Sequence, residues 1–489
     1  MKNILILNFG TSHDVILSSN IISAMKNEHP SSNIEMLTLK TYFDTASNIL
    51  GVNKVHTIDS DLISTIMNNP LYSDGFAINN FSDSMNEVSK IKWDTVVNYS
   101  NDNISAFLVS ALNVENVNGV SIDNKGIARS SNKWSIFQNF VSPTYKKQTI
   151  GKANIRNHIS DLPMFNNPEK IRISEEYSIV AGQNFARIRQ MNGSAATMVV
   201  GINLAGGYDG YSLSYDTYVD IIEALEESSH FKPVLLLNGK NYQRELVNKL
   251  NKVFDNKLIS INIDTVALPS VLSNIDIIAS TSNDQLAFAD AMDTRCIEIR
   301  DYNTVCESSI LTNEGNFSIF VKDEKYIASD IILSINEEFG TELPIDYMNS
   351  ANPIYRTVKD DYGCFLTQTR GDINLQQELK YHVERSYFYQ VLGYPKNQEL
   401  IDHIKNNTDK DELLTFVSTL KSELTGTVKI LLATLRSLKG MKNSEGSLNS
   451  FISYLDTLIK VGKEESIVSS AIRFFEGKIE NIDSEDIDS

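Results

Sequence analysis

The sequence predicts an α/β protein: two Rossmann-like, doubly wound domains followed by a C-terminal α-helical domain. Three observations carry this expectation. Short continuous apolar runs alternate with amphipathic helical periods from the first residues. The alternation restarts near residue 196, and from about 346 only helical periods remain. Apolar strands without polar alternation imply parallel sheets covered on both faces.

The elements follow in order. "NILILNF" (3–9) reads as a buried strand and "DVILSSNIISAMKN" (14–27) as a helix. "IEMLTL" (34–39), "KVHTI" (54–58), "WDTVVNYS" (93–100) and "VNGVSID" (117–123) read as further strands, with "DNISAFLVSALN" (102–113) a helix. Residues 127–190 are mixed in character. The second unit begins with "ATMVVGINLAGG" (196–207), a strand ending in a Gly-rich turn. Its strands continue with "KPVLLLNG" (232–239), "KLISINI" (257–263), "IDIIAST" (275–281) and "RCIEIR" (295–300). Its helices are 215–228, 242–254, 267–274 and 284–292. Two such units in tandem place a cleft at the carboxyl ends of their strands, where ligands of open α/β sheets bind.

Beyond 346 each helical stretch carries one apolar face, as at Leu413, Phe416, Val417, Leu420 and Leu424. Gly393 and Pro395 form a helix stop, and Thr408 with Asp411 has capping-box spacing. The expected domains are 1–190, 191–345 and a helical extension over 346–480, with 481–489 a disordered acidic tail. "YRTVKDDYGCFLTQTRGD" (355–372) joins body to helices and reads either as a packed linker or as aromatic contacts for a sugar or peptide.

At 489 residues the chain is too long for one core. Its 44 Lys plus Arg stand against 62 Asp plus Glu, a net charge of -18. Such a surface repels phosphate backbones, so no nucleic-acid partner is expected. Cys296, Cys306 and Cys364 have no metal-like spacing and read as reduced thiols of a cytoplasmic protein. The seven histidines show no i, i+4 pair beside an acid, so no metal site is expected. The Gly-rich turn is neither a G-x-G-x-x-G nor a P-loop pattern, so no nicotinamide cofactor or P-loop ATPase is indicated.

The joint between the first strand and helix holds Thr11, Ser12, His13 and Asp14. An acid there is commonly a cap for free N–H groups at the positive helix end. Thr11 and Ser12 also cap, which leaves Asp14 a second role: pointing into the cleft as a general base for an incoming hydroxyl. His13 reads as a surface residue or as its partner.

"GTSHDVILSSNIISAMK", "WDTVVNYSNDNISAFLVSAL", "GINLAGGYDGYSLSYDTYVDIIEAL" and "VALPSVLSNIDIIASTSNDQLAFADAMDTRCIEI" stand in an order that resembles glycosyltransferase family 9, the lipopolysaccharide heptosyltransferases of GT-B fold. The likeness covers about residues 1–345. It implies inverting, metal-independent sugar transfer from a nucleotide-sugar, with Asp14 as the base and Thr11, Ser12 and His13 on the acceptor side. No cofactor is implied. The donor would lie on the second unit, near Asn203, Gly206, Gly207, Tyr211, Lys240, Gln243, Ser282, Asn283 and Asp284. This chain departs from the family there. Ser282, Asn283 and Asp284 replace an Asp-Thr-Gly run, and Ala287 replaces a His. Tyr211 stands for a phosphate-binding Lys, and Gln243 lies near the place of a ribose-binding Glu. Lys240, Arg244 and Arg300 could supply positive charge or be solvated surface. The long helical region suggests a protein acceptor, such as flagellin, glycosylated in the cytoplasm. The alternatives are a lipopolysaccharide acceptor, with a peripheral position at the inner membrane, a non-catalytic GT-B scaffold for a glycosylation partner, and, third, a two-domain nucleoside-diphosphate-sugar epimerase. The helical region also suits a homodimer.

Overall fold

The computed structural model describes residues 2–68, 74–100, 102–138, 150–162, 170–190, 197–204, 211–228, 230–304, 309–340, 351–360 and 362–371, with 381, 382, 385, 389, 392 and 393. The chain divides into one compact unit of Met1–Ile122 with Arg129–Ile373, and another of Asp123–Ala128 with Asn374–Ser489. The expected helical extension and acidic tail fall almost wholly outside the described residues.

In the first unit the chain runs β1 (Asn3–Asn8), α1 (Ser12–Glu28), β2 (Asn33–Leu39), α2 (Phe43–Ser47) and β3 (Lys54–Ile58). Helices α3 (Ser60–Met67) and α4 (Asp74–Lys90) lead to β4 (Thr95–Asn98), α5 (Asn103–Ala111) and β5 (Asn116–Asn118). These five strands form a parallel sheet in the order β3-β2-β1-β4-β5. Leu5 and Leu7 of β1 pack with Val88, Trp93, Leu108 and Val109 on one face. The alternate residues Ile4 and Ile6 are equally buried, as a strand covered on both faces requires. The strand expected over 117–123 breaks at Gly119, where φ is +114° and a Cβ would lie 2.3 Å from the Asn98 carbonyl oxygen. It resumes as β6 (Val120–Ile122).

The stretch that was mixed in sequence contains β7 (Ala128–Ser130), α6 (Lys133–Ile136), α7 (Lys152–Ile159) and α8 (Glu175–Gln190). The second sheet then begins: β8 (Met198–Asn203), α9 (Tyr215–Glu227), β9 (Phe231–Leu237), α10 (Asn241–Val253) and β10 (Ile259–Asn262). It continues through α11 (Leu268–Leu272), β11 (Ile277–Ser280), α12 (Asn283–Ala291), β12 (Arg295–Asp301), β13 (Phe317–Val321) and α13 (Ile327–Phe339). The order β10-β9-β8-β11-β12-β13 is all parallel and repeats the first sheet's winding. The two Rossmann-like, doubly wound sheets expected from sequence are therefore present.

The expectation that strands end near 346 does not hold. β14 (Ile354–Asp360) and β15 (Gly363–Arg370) add an antiparallel hairpin to the edge of the second sheet. Buried Ile354, Tyr355, Thr357 and Leu366 anchor it, and Gly363 opens β15 at φ +111°. The 355–372 segment is thus mostly sheet, not linker. Among the described residues no helix is long and apolar enough to cross a membrane.

Candidate functional site

β1 delivers the chain to the sheet's carboxyl edge, where Asn8 organises the turn. Its side-chain amide donates to the Asp14 carbonyl (2.8 Å) and to Ser18 Oγ (2.9 Å), while its Oδ1 accepts from Gly10 N–H (3.1 Å). A Cβ on Gly10 would lie 2.7 Å from Asp14 Oδ2, so only glycine lets the carboxylate fold back over the turn. That Oδ2 accepts from Thr11 N–H (3.2 Å) and Thr11 Oγ1–H (3.0 Å). The capping reading of Asp14 is therefore correct for one oxygen.

The other oxygen faces α7. Arg156 donates through Nη2 to Asp14 Oδ1 (2.9 Å) and through Nη1 to the Asp14 carbonyl. Lys152 Nζ lies 3.3 Å from the same Oδ1. Arg156 is buried, with its guanidinium carbon 5.4 Å from the centre of the Tyr99 ring, whereas the Lys152 side chain is 49% exposed. Burial pushes the Asp14 carboxyl up. The Arg156 guanidinium, the Lys152 ammonium, His13 and the Thr11 hydrogen bond outweigh that and hold it well below its ordinary value of 3.8.

Asp14, Lys152 and Arg156 line a cavity of about 310 Å³. Phe9, Gly10 and Asp14 come from the β1–α1 turn, Tyr99, Ser100 and Asp102 from the β4–α5 turn, and Lys152 and Arg156 from α7. Ser100 Oγ accepts from Phe9 N–H (2.8 Å), tying the two turns together. Asp102 caps α5 by accepting from Ser105 N–H (2.7 Å). Helix α7 is fixed from two sides. Asn132 donates to the His158 and Ile159 carbonyls (3.0 Å each), and the His158 ring stacks on Trp134 with centroids 4.3 Å apart. Toward the second sheet, Asn154 Nδ2 donates to the Cys364 carbonyl (3.1 Å).

Sequence reading missed Lys152, Arg156, Tyr99 and Asp102. The one available signal for the first two was their i, i+4 spacing, which puts both cations on one helix face.

His13 is not a surface residue. It is 5% exposed; its Nδ1 lies 2.7 Å from Thr11 Oγ1, and its N–H donates to Asp284 Oδ1 (3.1 Å). Asp284 stands in the first turn of α12, so an acid of the second sheet meets the first turn of α1. Ser12 Oγ lies 3.3 Å from Thr45 Oγ1.

The expected donor residues are distributed unevenly. Asn203 is buried and donates to Ser280 Oγ (2.8 Å), which also accepts from Ser282 N–H (2.8 Å). This polar cluster leads through α12 to Asp284. Gln243 is fully buried and closes its own turn by accepting from Asn238 N–H (2.9 Å). Lys240 is the residue before α10 and makes no side-chain cap there. Tyr211 packs against the second core, and burial pushes its phenol up. Asn283 opens α12, and Ala287 is 2% exposed within it. Gly206 and Gly207 lie outside the described residues. Arg300 packs over the Phe320 ring at 5.3 Å, so it is not a free surface charge.

No family model matches the chain, and no curated protein matches it. Solved structures do. A family 9 glycosyl transferase from Veillonella parvula is 14% identical, with a TM-score of 0.45, over 61% of this chain and 80% of its own. The heptosyltransferase WaaC of E. coli with ADP-2-deoxy-2-fluoro heptose is 14% identical, with a TM-score of 0.43, over 61% and 89%. A UDP-GlcNAc 2-epimerase from Neisseria meningitidis bound to UDP-GlcNAc is 14% identical, with a TM-score of 0.38, over 74% and 96%.

Proposed function

We propose that the chain transfers a sugar from a nucleotide-sugar to an acceptor hydroxyl, with inversion at the anomeric carbon and without a resident metal. The single observation that carries this reading is that Asp14, at the carboxyl end of the first sheet, lines a cavity together with Asp102, Lys152 and Arg156. The acceptor hydroxyl would enter that cavity and donate its proton to Asp14 Oδ1. The donor would lie on the second sheet near Asn203, Ser282 and the first turn of α12, whose free N–H groups suit a diphosphate.

A carboxylate of such low proton affinity is a weak base toward a free alcohol. It suffices if the proton leaves late. Once the acceptor oxygen bonds to the anomeric carbon, its proton becomes strongly acidic and even a weak carboxylate takes it. The acceptor we favour is a surface protein such as flagellin, glycosylated in the cytoplasm; a lipopolysaccharide core is the alternative.

A second reading, a non-catalytic scaffold that binds a glycosylation partner, draws on two observations. Asp14 is pinned by cations, and Gln243 and Ala287 are buried where donor contacts were expected.

Melting curves with UDP-, GDP-, CMP- and ADP-linked sugars separate the two, because a ligand of the folded state raises Tm by mass action. The enzyme reading expects one of them to raise Tm. It also expects Asp14→Asn to lower transfer by about a hundredfold or more while keeping that Tm shift. Silence from every nucleotide-sugar supports the scaffold.

A further inference from the structure

Helix α8 is apolar on two sides. Ala181, Phe185 and Ile188 are buried and hold it to the body beside α11. Elsewhere on the helix Tyr177 and Val180 stand 40% and 54% exposed. Tyr177, Val180, Asn184 and Arg187 recur at i, i+3, i+7 and i+10, so they share one stripe. The apolar surface continues past the start of the helix. Asn48 accepts from Arg172 N–H through its carbonyl (2.6 Å) and donates through its side chain to the Thr265 carbonyl (2.9 Å). That brings the chain at exposed Ile173 close to the chain at exposed Val266. Such a surface, on a chain of net charge -18, calls for a cover.

The charges at its ends say what covers it. Glu175 and Glu176 stand in the first turn of α8, Arg187 and Arg189 in the last. The helix dipole alone favours that order. What the charges meet is more telling. Arg189 is engaged within the chain, by Asp276 (2.7 Å) and the Thr197 and Asn274 carbonyls. Exposed Glu176 and Arg187, about 16 Å apart along the axis, pair with no charge among the described residues. A second copy of α8 laid parallel would set like charges together. Laid antiparallel, about a twofold axis at the level of Ala181 and Gly182, it sets Glu176 of each copy opposite Arg187 of the other. Tyr177 and Val180 then lie between the two charge pairs. Val180 is about 2 Å along the helix from that axis, so its two copies meet there.

We propose that the exposed stripe of α8 is the face of a homodimer: two copies of the chain pair antiparallel through Tyr177 and Val180 and exchange Glu176–Arg187 contacts. The face is self-complementary, so the pairing closes at two copies. Each copy commits little more than one helix to it, which sets the dimer among the weak, concentration-dependent interfaces. The inference is independent of the reading of the first-sheet cavity.

Sedimentation velocity on the full chain, from about 1 to about 100 μM, tests it. The wild type is expected to pass from monomer to dimer in that range. Val180→Glu sets two acids against each other at the axis and should raise the dissociation constant at least about a hundredfold. Glu176→Arg and Arg187→Glu should each raise it about tenfold, and the two changes together should bring back the wild-type value. Ile78→Glu, at a still more exposed apolar position on α4, should change nothing. All four positions are exposed in the single chain, so every variant should keep the wild-type circular dichroism spectrum. A wild type that stays monomeric throughout overturns the proposal and leaves the stripe to a different protein. A dimer that survives Val180→Glu uses another face and overturns it as well, as does a double variant no better than either single one.

Discussion

Asp14 and Asp290 invite comparison. Both are buried acids on helices that follow a parallel strand, 7% and 2% exposed. Asp14 meets Arg156 and Lys152. Asp290 is answered mainly by neutral donors: the N–H groups of Thr312 (2.8 Å) and Asn313 (3.0 Å), the Thr312 hydroxyl (2.5 Å) and Asn316 Nδ2 (2.7 Å). Burial pushes the Asp290 carboxyl up, even with buried Lys170 nearby to oppose it. The Asp14 carboxyl is held down. At Asp290 the neutral donors and Lys170 together do not offset the desolvation of the carboxylate, whereas at Asp14 the adjacent cations do. Their roles differ accordingly. Asp290 ties α12 to the 312–316 segment, whose Asn316 in turn accepts from Cys296 N–H (2.9 Å). Asp14 keeps one oxygen on a cavity wall. Burial of an acid is therefore not the mark of a site; a cation pair beside open volume is the better one.

The sharpest way to break this contrast is Arg156→Ala. It leaves a buried carboxylate short of its main partner, and a loss of about 3–5 kcal/mol is expected in urea unfolding. A loss below about 1 kcal/mol would mean that Lys152 alone sustains Asp14. Asp290→Ala removes the acceptor of four donors and should cost about 2–3 kcal/mol, with no effect on ligand binding in the first-sheet cavity.

The contrast also predicts opposite pH dependences. Below the ordinary carboxyl value of 3.8 the unfolded chain takes up a proton that folded Asp14 refuses, so Asp14 removes stability as pH falls below that value. Folded Asp290 protonates at higher pH than its unfolded form, so it adds stability as pH falls toward 3.8. Unfolding free energies of wild type, Asp14→Asn and Asp290→Asn from about pH 6 to 3 check this as difference curves. Differences are needed because His158, held at about 4 by burial, removes stability from its ordinary 6.5 downward in all three. The smallest effect belongs to Lys152→Ala. Its half-exposed charge should be worth no more than about 0.5 kcal/mol of stability in the same assay.

The reach of sequence reading follows the kind of residue involved. β1 and α1 were legible because Ile4, Leu5, Ile6 and Leu7 form an unbroken apolar run that ends at Asn8, two residues before Gly10, where a turn is required. Helix α7 was not. Ala153 through Ile159 are all buried, yet Asn154, Arg156, Asn157 and His158 are polar, so hydrophobic periodicity has nothing to detect there. The β14–β15 hairpin was hidden because Tyr, Thr, Arg and Gln occupy its faces and its turn carries Asp360 and Gly363. Asp14 was found and its capping role foreseen, but its cations were not.

The sequence by itself determined the two parallel sheets and the glycine-bounded turn that presents Asp14. Continuous apolar strands can be satisfied only when helices cover both faces, and that constraint is local to each strand–helix repeat. The tertiary structure alone decided what Asp14 and His13 would meet. Arg156 lies 142 residues along the chain from Asp14, and Asp284 lies 271 residues from His13. Charge pairing depends on separation in space, which no periodic pattern in sequence records, so it appears only once the sheets and α7 are in place.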